Sequence, residues 1–263
     1  MSIFRKLAKN ILKILVSKLG FHLTRMRSDM EDVLSHLKEQ EVSPNTVIDV
    51  GVANGTDDLY KAFRNSHIVL VEPLQEFEDY MRSMKTSYDL EYHIAAASDN
   101  EGTLTINVHP DLCGSSLLKE VEGNGIDGVE RVVPTVRLDR LALEKGWKPP
   151  FFIKIDVQGA ELKVLEGAEG ILDQTDAVSM EVSFFGFFVG GPQFHEVVDF
   201  MSKRGFVPYE IFDGRNRPLD DALAQVDMLF VKKNGVLRGA HSYANPEQRE
   251  NMNRVIRKKM VGN

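Results

Sequence analysis

The chain has very little cysteine: Cys113 is the only one among its 263 residues. One thiol excludes both an intramolecular disulfide and a cysteine-rich zinc site. Glycine, proline and aromatic residues occur at ordinary frequencies, which excludes collagen-like repeats and low-complexity disorder. His93, His109 and His195 stand apart without the spacing of metal ligands, so we predict no metal site.

Long uninterrupted apolar runs are also missing near the N-terminus. Residues 3–19 place apolar side chains at three- and four-residue spacings opposite lysines, which predicts an amphipathic helix that ends at Gly20. Lys13 and Lys18 interrupt the apolar residues, so we expect neither a bilayer-spanning helix nor a signal peptide. This helix either packs on the rest of the protein with its lysines solvated or lies on an anionic lipid surface.

Acidic residues are absent from residues 1–27, which hold seven basic ones, whereas the whole chain has a formal net charge of −7. The remainder is therefore strongly acidic, and we expect no nucleic-acid partner. We expect a cytoplasmic protein in which any membrane contact is peripheral and uses residues 3–19. The pattern predicts a basic helix at residues 1–27, one domain over 28–235 and a helical tail over 236–263.

Short apolar runs alternate with helical stretches through the predicted domain. Continuous apolar strands separated by helices are typical of a parallel sheet covered on both faces, so we predict a doubly wound α/β fold. The predicted strands are residues 47–50, 67–71, 92–97, 103–108, 132–136, 151–157, 177–182, 206–211 and 226–231.

A glycine-containing turn follows the first predicted strand. Asp49 lies at the carboxyl end of that strand, and Gly51, Asn54 and Gly55 lead into a helix, where doubly wound sheets bind ligands. Ala53 replaces the second glycine of the dinucleotide fingerprint, which argues against a nicotinamide-linked dehydrogenase. A helix N-terminus beside an acid favours an adenosyl ligand over a pyrophosphate.

Two further strand ends complete this expected cofactor site. Glu72 follows the glycine turn by about twenty residues, and an acid at that distance accepts hydrogen bonds from ribose hydroxyls in related folds. Ala97 and Ser98 end the third predicted strand; the alanine leaves room for an adenine, and Ser98 or Asp99 would bond its amine. The alternative interpretation of each position is an ordinary strand end, but the pairing of Glu72 with the glycine turn makes its assignment more specific.

The candidate catalytic residues follow later strands. Lys154 and Asp156 alternate on one strand and share a face, so Asp156 is a candidate base with Lys154 beside it. Glu161 begins the next helix, and Glu181 lies near the end of the following strand at the same edge of the sheet. The competing interpretation is an ion pair, a helix N-terminal acid and a solvated strand-end acid.

The stretch Ile153-Lys154-Ile155-Asp156-Val157-Gln158-Gly159-Ala160-Glu161, preceded by Arg137-Leu138-Asp139-Arg140-Leu141, resembles the FkbM family of S-adenosylmethionine-dependent methyltransferases. The glycine turn and Glu72 match as well, and the family usually has an acid where Gln158 stands. The resemblance implies a class I methyltransferase fold, which is Rossmann-like with seven strands and an antiparallel last strand.

The same resemblance implies S-adenosylmethionine as methyl donor and usually a hydroxyl as acceptor. Family members act on sugars, polysaccharides, lipid-linked glycans and polyketides, so we expect an O-methyltransferase with a small-molecule or glycan substrate. Two alternatives remain open at this point. One is a nicotinamide-linked dehydrogenase, and the other is a membrane-surface binding protein that retains an inert nucleotide-binding fold.

Overall fold

The computed structural model describes residues 27–123 and 128–261. The amphipathic helix predicted at residues 3–19 lies outside these residues. No helix within the described part of the chain combines the length and the apolar character needed to cross a membrane.

Ten strands are present in the described chain, and their bounds largely match the predicted ones. They are β1 (Thr46–Val50), β2 (His67–Glu72), β3 (Leu90–Ile94), β4 (Ala96–Ala97), β5 (Gly102–Val108), β6 (Val129–Val136), β7 (Phe151–Ile155), β8 (Thr175–Ser183), β9 (Phe206–Asn216) and β10 (Leu223–Lys232).

The main sheet has seven strands in the order β3-β2-β1-β7-β8-β10-β9. Strands β3, β2, β1, β7 and β8 run parallel to one another. Strand β10 is the last in the chain and lies antiparallel between β8 and β9. In the class I methyltransferase arrangement the last strand of the chain is antiparallel and lies next to the fifth strand of the sheet order, as β10 lies next to β8 here. The observed order therefore confirms the predicted fold.

Helices cover both faces of this sheet. They are α1 (Met30–Glu39), α2 (Asp57–Ala62), α3 (Glu78–Met84), α4 (Leu138–Lys145), α5 (Glu161–Glu166), α6 (Glu169–Leu172), α7 (Phe194–Lys203) and α8 (Pro246–Val261), with short 3-10 turns at Gln75–Phe77 and Val236–Arg238. Alternate residues of a strand point to opposite faces. Val47 and Phe152 therefore pack with α1 to α3, while Ile48 and Ile153 pack with α4 to α7.

The single strand predicted over residues 92–97 is wrong. Strand β3 ends at Ile94, and β4 belongs to a separate three-stranded sheet of order β4-β6-β5. The Ala95 N–H still donates to the Glu72 carbonyl oxygen at 3.1 Å, and the bend there carries the chain toward β6. Short apolar residues suit either sheet, so the hydrophobic pattern did not reveal the break.

The register of the parallel strands brings their ends to one edge. Asp49 pairs with Lys154, and Val50 pairs with Val71 on one side and Ile155 on the other. The glycine turn after β1, Glu72 at the end of β2 and the residues that follow β7 consequently meet at the carboxyl edge of the sheet.

Candidate active site

A cavity of about 490 Å³ opens at this carboxyl edge. Its volume lies within the range of about 300–1,000 Å³ typical of small-ligand sites. Seven residues predicted for the site line it: Gly51, Asn54, Gly55, Glu72, Ala97, Lys154 and Asp156. The other four predicted residues, Asp49, Ser98, Glu161 and Glu181, lie behind the wall or away from it.

The glycine turn is shaped by two positions that exclude side chains. Gly51 has φ +75°, and a Cβ added there would lie 1.8 Å from the Asp156 carbonyl oxygen. Gly55 has φ +89°, and its Cβ would lie 1.9 Å from the Tyr80 hydroxyl. Both glycines therefore allow a backbone conformation and a close approach that other residues cannot adopt without displacement.

Glu72 presents a buried carboxylate to the cavity, with 4% of the residue exposed. Its Oε2 accepts the Ala53 N–H and its Oε1 accepts the Leu74 N–H, both at 3.0 Å. Burial raises the pKa of Glu72, although these N–H groups and Lys154 oppose the shift. Each carboxylate oxygen has two acceptor sites, so both oxygens retain capacity for a ligand hydroxyl.

A buried ionic group lies beneath the turn. Lys154 Nζ is 3.2 Å from Asp49 Oδ1 and donates to the Gly51 carbonyl oxygen at 3.1 Å. Burial alone lowers the pKa of Lys154, but the charges of Asp49 and Asp156 outweigh it and the net shift is upward. Tyr60 donates to Asp49 Oδ2 at 2.5 Å, and the aspartate is fully buried.

Asp156 follows β7 and reaches the cavity with 36% of its side chain exposed. Its Oδ2 lies 3.9 Å from Lys154 Nζ, and its Oδ1 accepts a hydrogen bond from Gln158 Nε2 at 2.9 Å. Gln158 occupies the left-handed region, with φ 55°, which turns its amide back over Asp156. The two oxygens of Asp156 are thus oriented by one cation and one neutral donor.

Glu181 stands behind the cavity wall. It accepts hydrogen bonds from Gln158 Nε2 at 3.4 Å, Gln225 Nε2 at 2.6 Å and Arg215 Nη1 at 3.1 Å. Burial, and next the negative charge of Asp156, raise the pKa of Glu181 to about 8. Its contacts with Gln158 and Arg215, which do line the cavity, make Glu181 a support for the wall.

Three charged residues of β9 and β10 line the cavity and were missed: Asp213, Arg215 and Asp227. Burial, and next the charge of Asp156, raise the pKa of Asp227 to about 6. The sequence did contain a feature that could have indicated these residues. Polar residues alternate at positions 213 and 215 on β9 and at 225 and 227 on β10. In a strand otherwise rich in apolar residues, that alternation marks a polar face.

Two predicted site residues, Glu161 and Ser98, form hydrogen bonds with residues close to them in the chain. Glu161 is 4% exposed, and its Oε1 accepts the Gly159 N–H at 2.9 Å. Burial raises the pKa of Glu161 to about 7. Ser98 is 2% exposed and its hydroxyl donates to Asp99 Oδ1 at 3.0 Å, because the chain has already left the main sheet at β4. Neither side chain lines the cavity, and a direct contact of Glu161 or Ser98 with a ligand stays a prediction.

The loop between β5 and β6 forms one side of the cavity. Ser116 Oγ donates to the Gln158 carbonyl oxygen at 2.6 Å, and the Asn107 N–H donates to the Ser116 carbonyl oxygen at 2.8 Å. Leu112 and Cys113 of the same loop also line the cavity. Across residues 27–123 and 128–261, no group of three His, Cys, Asp or Glu side chains is arranged to hold a metal ion.

Arg137 and Asp139, which contribute to the family resemblance, lie away from the cavity. The Arg137 guanidinium makes two bonds to the Asp139 carboxylate, at 3.1 and 2.7 Å, and a third to the Asp99 carbonyl oxygen at 2.6 Å. Asp139 Oδ2 also accepts the Gly170 N–H at 3.2 Å. The pair ties α4 to α6 and to the chain after β4, which is a structural role.

The strand order and the cavity at its carboxyl edge define a class I methyltransferase. The sequence matches the Methyltransferase FkbM domain over residues 49–208. The chain therefore belongs to the FkbM methyltransferase family and is an enzyme of that class. No curated protein matches the sequence significantly.

Solved structures with similar folds have low sequence identity. A 1,6-didemethyltoxoflavin-N1-methyltransferase from Burkholderia thailandensis, bound to S-adenosylhomocysteine, is 12% identical with TM-score 0.41, over 76% of this chain and 76% of its own. An rRNA methylase from Streptococcus thermophilus is 12% identical with TM-score 0.44, over 79% and 99%. The N-methyltransferase NodS from Bradyrhizobium japonicum, with S-adenosylhomocysteine, is 8% identical with TM-score 0.43, over 77% and 85%.

Proposed function

We propose that this methyltransferase takes its methyl group from S-adenosylmethionine and transfers it to a hydroxyl of a sugar, glycan or lipid-linked acceptor. The observation that carries the proposal is one cavity lined by two chemically different sets of residues. We assign the glycine turn and Glu72 to the donor end, and Asp156 with the charged residues of β9 and β10 to the acceptor end.

The donor end fits an adenosyl group. Glu72 retains acceptor capacity for ribose hydroxyls, and the small side chains of Ala96 and Ala97 leave room beside the apolar walls of Phe77 and Ile106 for a flat base. When bound, S-adenosylmethionine supplies an electrophilic methyl group on a sulfonium. Asn54 and Gly55 border the same space, and Asp49 contributes indirectly because its ion pair fixes Lys154 beneath the turn.

At the acceptor end, Asp156 would accept the proton that the acceptor hydroxyl loses as its oxygen bonds to the methyl carbon, while the methyl–sulfur bond of the donor breaks and S-adenosylhomocysteine leaves. Lys154 and Gln158 hold the two oxygens of Asp156 in place, and Glu181 holds Gln158. The walls from β9, β10 and the β5–β6 loop exclude water and align the acceptor, and such alignment supplies much of the rate enhancement in two-substrate reactions. Glu161 contributes indirectly, because it accepts the Gly159 N–H and so stabilises the turn that follows Gln158.

The proposal also covers where in the cell the protein acts. We assign the protein to the cytoplasm, without a nucleic-acid partner, and with peripheral contact to membranes through the basic and apolar residues of segment 3–19. A chain that begins at residue 28 is expected to fold and to bind the donor with unchanged affinity, but to bind anionic vesicles less well. A truncated chain that aggregates would place the segment in the protein core.

The test is methyl transfer from labelled S-adenosylmethionine to a panel of free sugars, glycans and lipid-linked glycans. Label is expected in a base-stable ether on one acceptor class, and the Asp156→Asn variant is the matched control. Donor binding without transfer to any acceptor, in a protein that still binds vesicles, would favour the inert membrane-surface protein. Mass spectrometry of cell glycans and lipids, with and without the protein, would then show which methyl group depends on it.

A further inference from the structure

Helix α8 is solvent-exposed along its length: every side chain that the structure describes in it is exposed. Its start is specified locally, because the Asn245 N–H donates to Gln248 Oε1 at 2.9 Å and the Gln248 N–H donates to Asn245 Oδ1 at 2.8 Å. Isolated helices shorter than about 12–15 residues are marginal in water, and α8, with 16 residues, is only just above that limit. Contact with another surface would therefore stabilise this helix.

One side of α8 carries an apolar stripe. Met252, Val255, Ile256 and Met260 are 39%, 53%, 49% and 81% exposed, and their spacing places them on the same side of a helix. Val236 and Tyr243, just before the helix, are 81% and 80% exposed. These six are a large share of the fourteen large hydrophobic side chains exposed in the described chain, and concentrations of this kind mark interaction surfaces.

The charge of the helix is opposite to that of the protein as a whole. Its basic residues are Arg249, Arg254, Arg257, Lys258 and Lys259. Its two acids, Glu247 and Glu250, stand at the beginning, and the helix has none after residue 250. The whole chain carries a net charge of −7, so this basic segment, like residues 1–27, favours an anionic partner while the acidic remainder of the protein does not.

We propose that α8 docks on the surface of an anionic lipid bilayer, with the stripe of Met252, Val255, Ile256 and Met260 inserted at headgroup depth. Basic residues supply the attraction to anionic headgroups, and the stripe supplies shallow apolar burial. A nucleic acid would use the positive charge but leave the stripe exposed. A second copy would need a complementary apolar groove, whereas the other exposed apolar side chains of residues 27–123 and 128–261 are spread over separate strands, loops and helix α4.

The first test is flotation of the full chain with phosphatidylcholine vesicles, with and without about 30% phosphatidylglycerol, since basic segments select anionic lipid. The Val255→Ser/Ile256→Ser and Arg254→Gln/Arg257→Gln variants are each expected to lower binding to anionic vesicles by about fivefold or more. Leu143→Ser, which alters a leucine 77% exposed on α4, is the matched control and should bind normally. Equal binding by all variants would overturn the proposal.

The second test locates the contact, because residues 3–19 are also proposed to bind lipid. An environment-sensitive dye is attached to Val255→Cys, or to Leu143→Cys as control, in a Cys113→Ser background that leaves one thiol. Anionic vesicles should shift the emission of the dye at position 255 to shorter wavelength and leave that at 143 unchanged. Vesicle binding without a shift at 255 would overturn the proposal.

Two other outcomes would also overturn it. Retention of an RNA or DNA oligonucleotide that depends on Arg254 and Arg257 but not on Val255 and Ile256 would assign the helix to nucleic acid. A concentration-dependent dimer in light scattering that Val255→Ser/Ile256→Ser abolishes would assign it to a second copy. Neither readout uses methyl transfer, so failure here leaves the proposed reaction standing and failure of that reaction leaves this proposal standing.

Discussion

Lys154 and Asp49 form an ion pair across neighbouring strands β1 and β7, directly beneath the candidate donor turn. The distance from Lys154 Nζ to Asp49 Oδ1 is 3.2 Å, and the aspartate side chain is fully buried. The two residues are paired in the strand register, so the contact is fixed by the sheet itself. Burying one such charge without its partner is strongly unfavourable.

The Lys154→Met variant is therefore expected to lower the free energy of unfolding by about 3–5 kcal/mol, the usual effect of removing one partner from a buried pair. Denaturant titration monitored by circular dichroism measures it. Lys163→Met, at an exposed position of α5, is the control and should change stability little. A loss below about 1 kcal/mol, as for a surface pair, would show that Asp49 is not held by Lys154.

Glu72 is expected to set donor affinity. The Glu72→Ala variant should weaken S-adenosylmethionine binding by about 1–3 kcal/mol, the typical loss for hydrogen bonds to a charged group. Isothermal titration calorimetry measures the dissociation constant. Glu72→Gln preserves the shape of the side chain but keeps only one acceptor oxygen for the Ala53 and Leu74 N–H groups, so the fold of each variant is checked by circular dichroism. Glu76→Ala, with 38% of its side chain exposed, is the surface control. An unchanged dissociation constant in both Glu72 variants would remove this residue from the site.

Asp156→Asn is expected to keep donor affinity within a few-fold and to lower turnover by about 10²–10⁴, the usual contribution of a general base. The asparagine preserves the shape of the side chain and its bond with Gln158, so lost turnover reports proton acceptance or acceptor orientation. A pH–rate profile that loses its acidic limb in the variant would identify proton acceptance. Near-normal turnover would leave alignment alone as the mechanism.

Glu181 is expected to make stability depend on pH. Burial raises its pKa to about 8 from 4.5, so between these pH values the folded protein holds a proton that the unfolded chain releases. The free energy of unfolding contributed by Glu181 therefore falls as pH rises through this window, and the full loss is present above about pH 8.

The Glu181→Gln variant cannot ionise and should escape this loss. We compare the Tm of the variant with that of the natural protein at each pH. This difference is expected to shift in favour of the variant by about 2–4 °C or more as the pH is raised from 5.5 to 9, and a shift of that size corresponds to about 1 kcal/mol at this chain length. Differential scanning calorimetry across the pH range measures the change. A Tm difference that stays constant with pH would mean that Glu181 is ionised in the folded protein.

The sheet was predictable because its strands are continuously apolar. Residues 47–50, 67–71 and 151–157 were predicted as strands from such runs, and the structure has strands at Thr46–Val50, His67–Glu72 and Phe151–Ile155. The break after Ile94 was not predictable, since Ala96 and Ala97 are short and apolar whichever sheet they join. The apolar composition was enough to predict which residues form strands. Which strands pair with one another depended on tertiary contacts.

The site was predictable only where a residue directly ends a parallel strand. Glu72 and Asp156 line the cavity because the register brings those strand ends together. Glu161 and Glu181 also lie at or soon after the ends of parallel strands. Their carboxylates, however, accept hydrogen bonds from the Gly159 N–H and the Gln225 amide of the protein. Asp227 reaches the cavity from an antiparallel strand, whose position beside β8 depends on the whole topology.

The contact between Gly51 and Asp156 involves main-chain atoms only, since even one added carbon would lie 1.8 Å from the carbonyl oxygen. The turn proposed to hold the donor thus contacts the backbone of the residue proposed to take the proton, and this main-chain contact sets the spacing of the two segments. Substitutions in β9, β10 or the β5–β6 loop can reshape the acceptor end while this spacing stays constant. Such a construction allows related proteins to exchange substrates without rebuilding the reaction geometry.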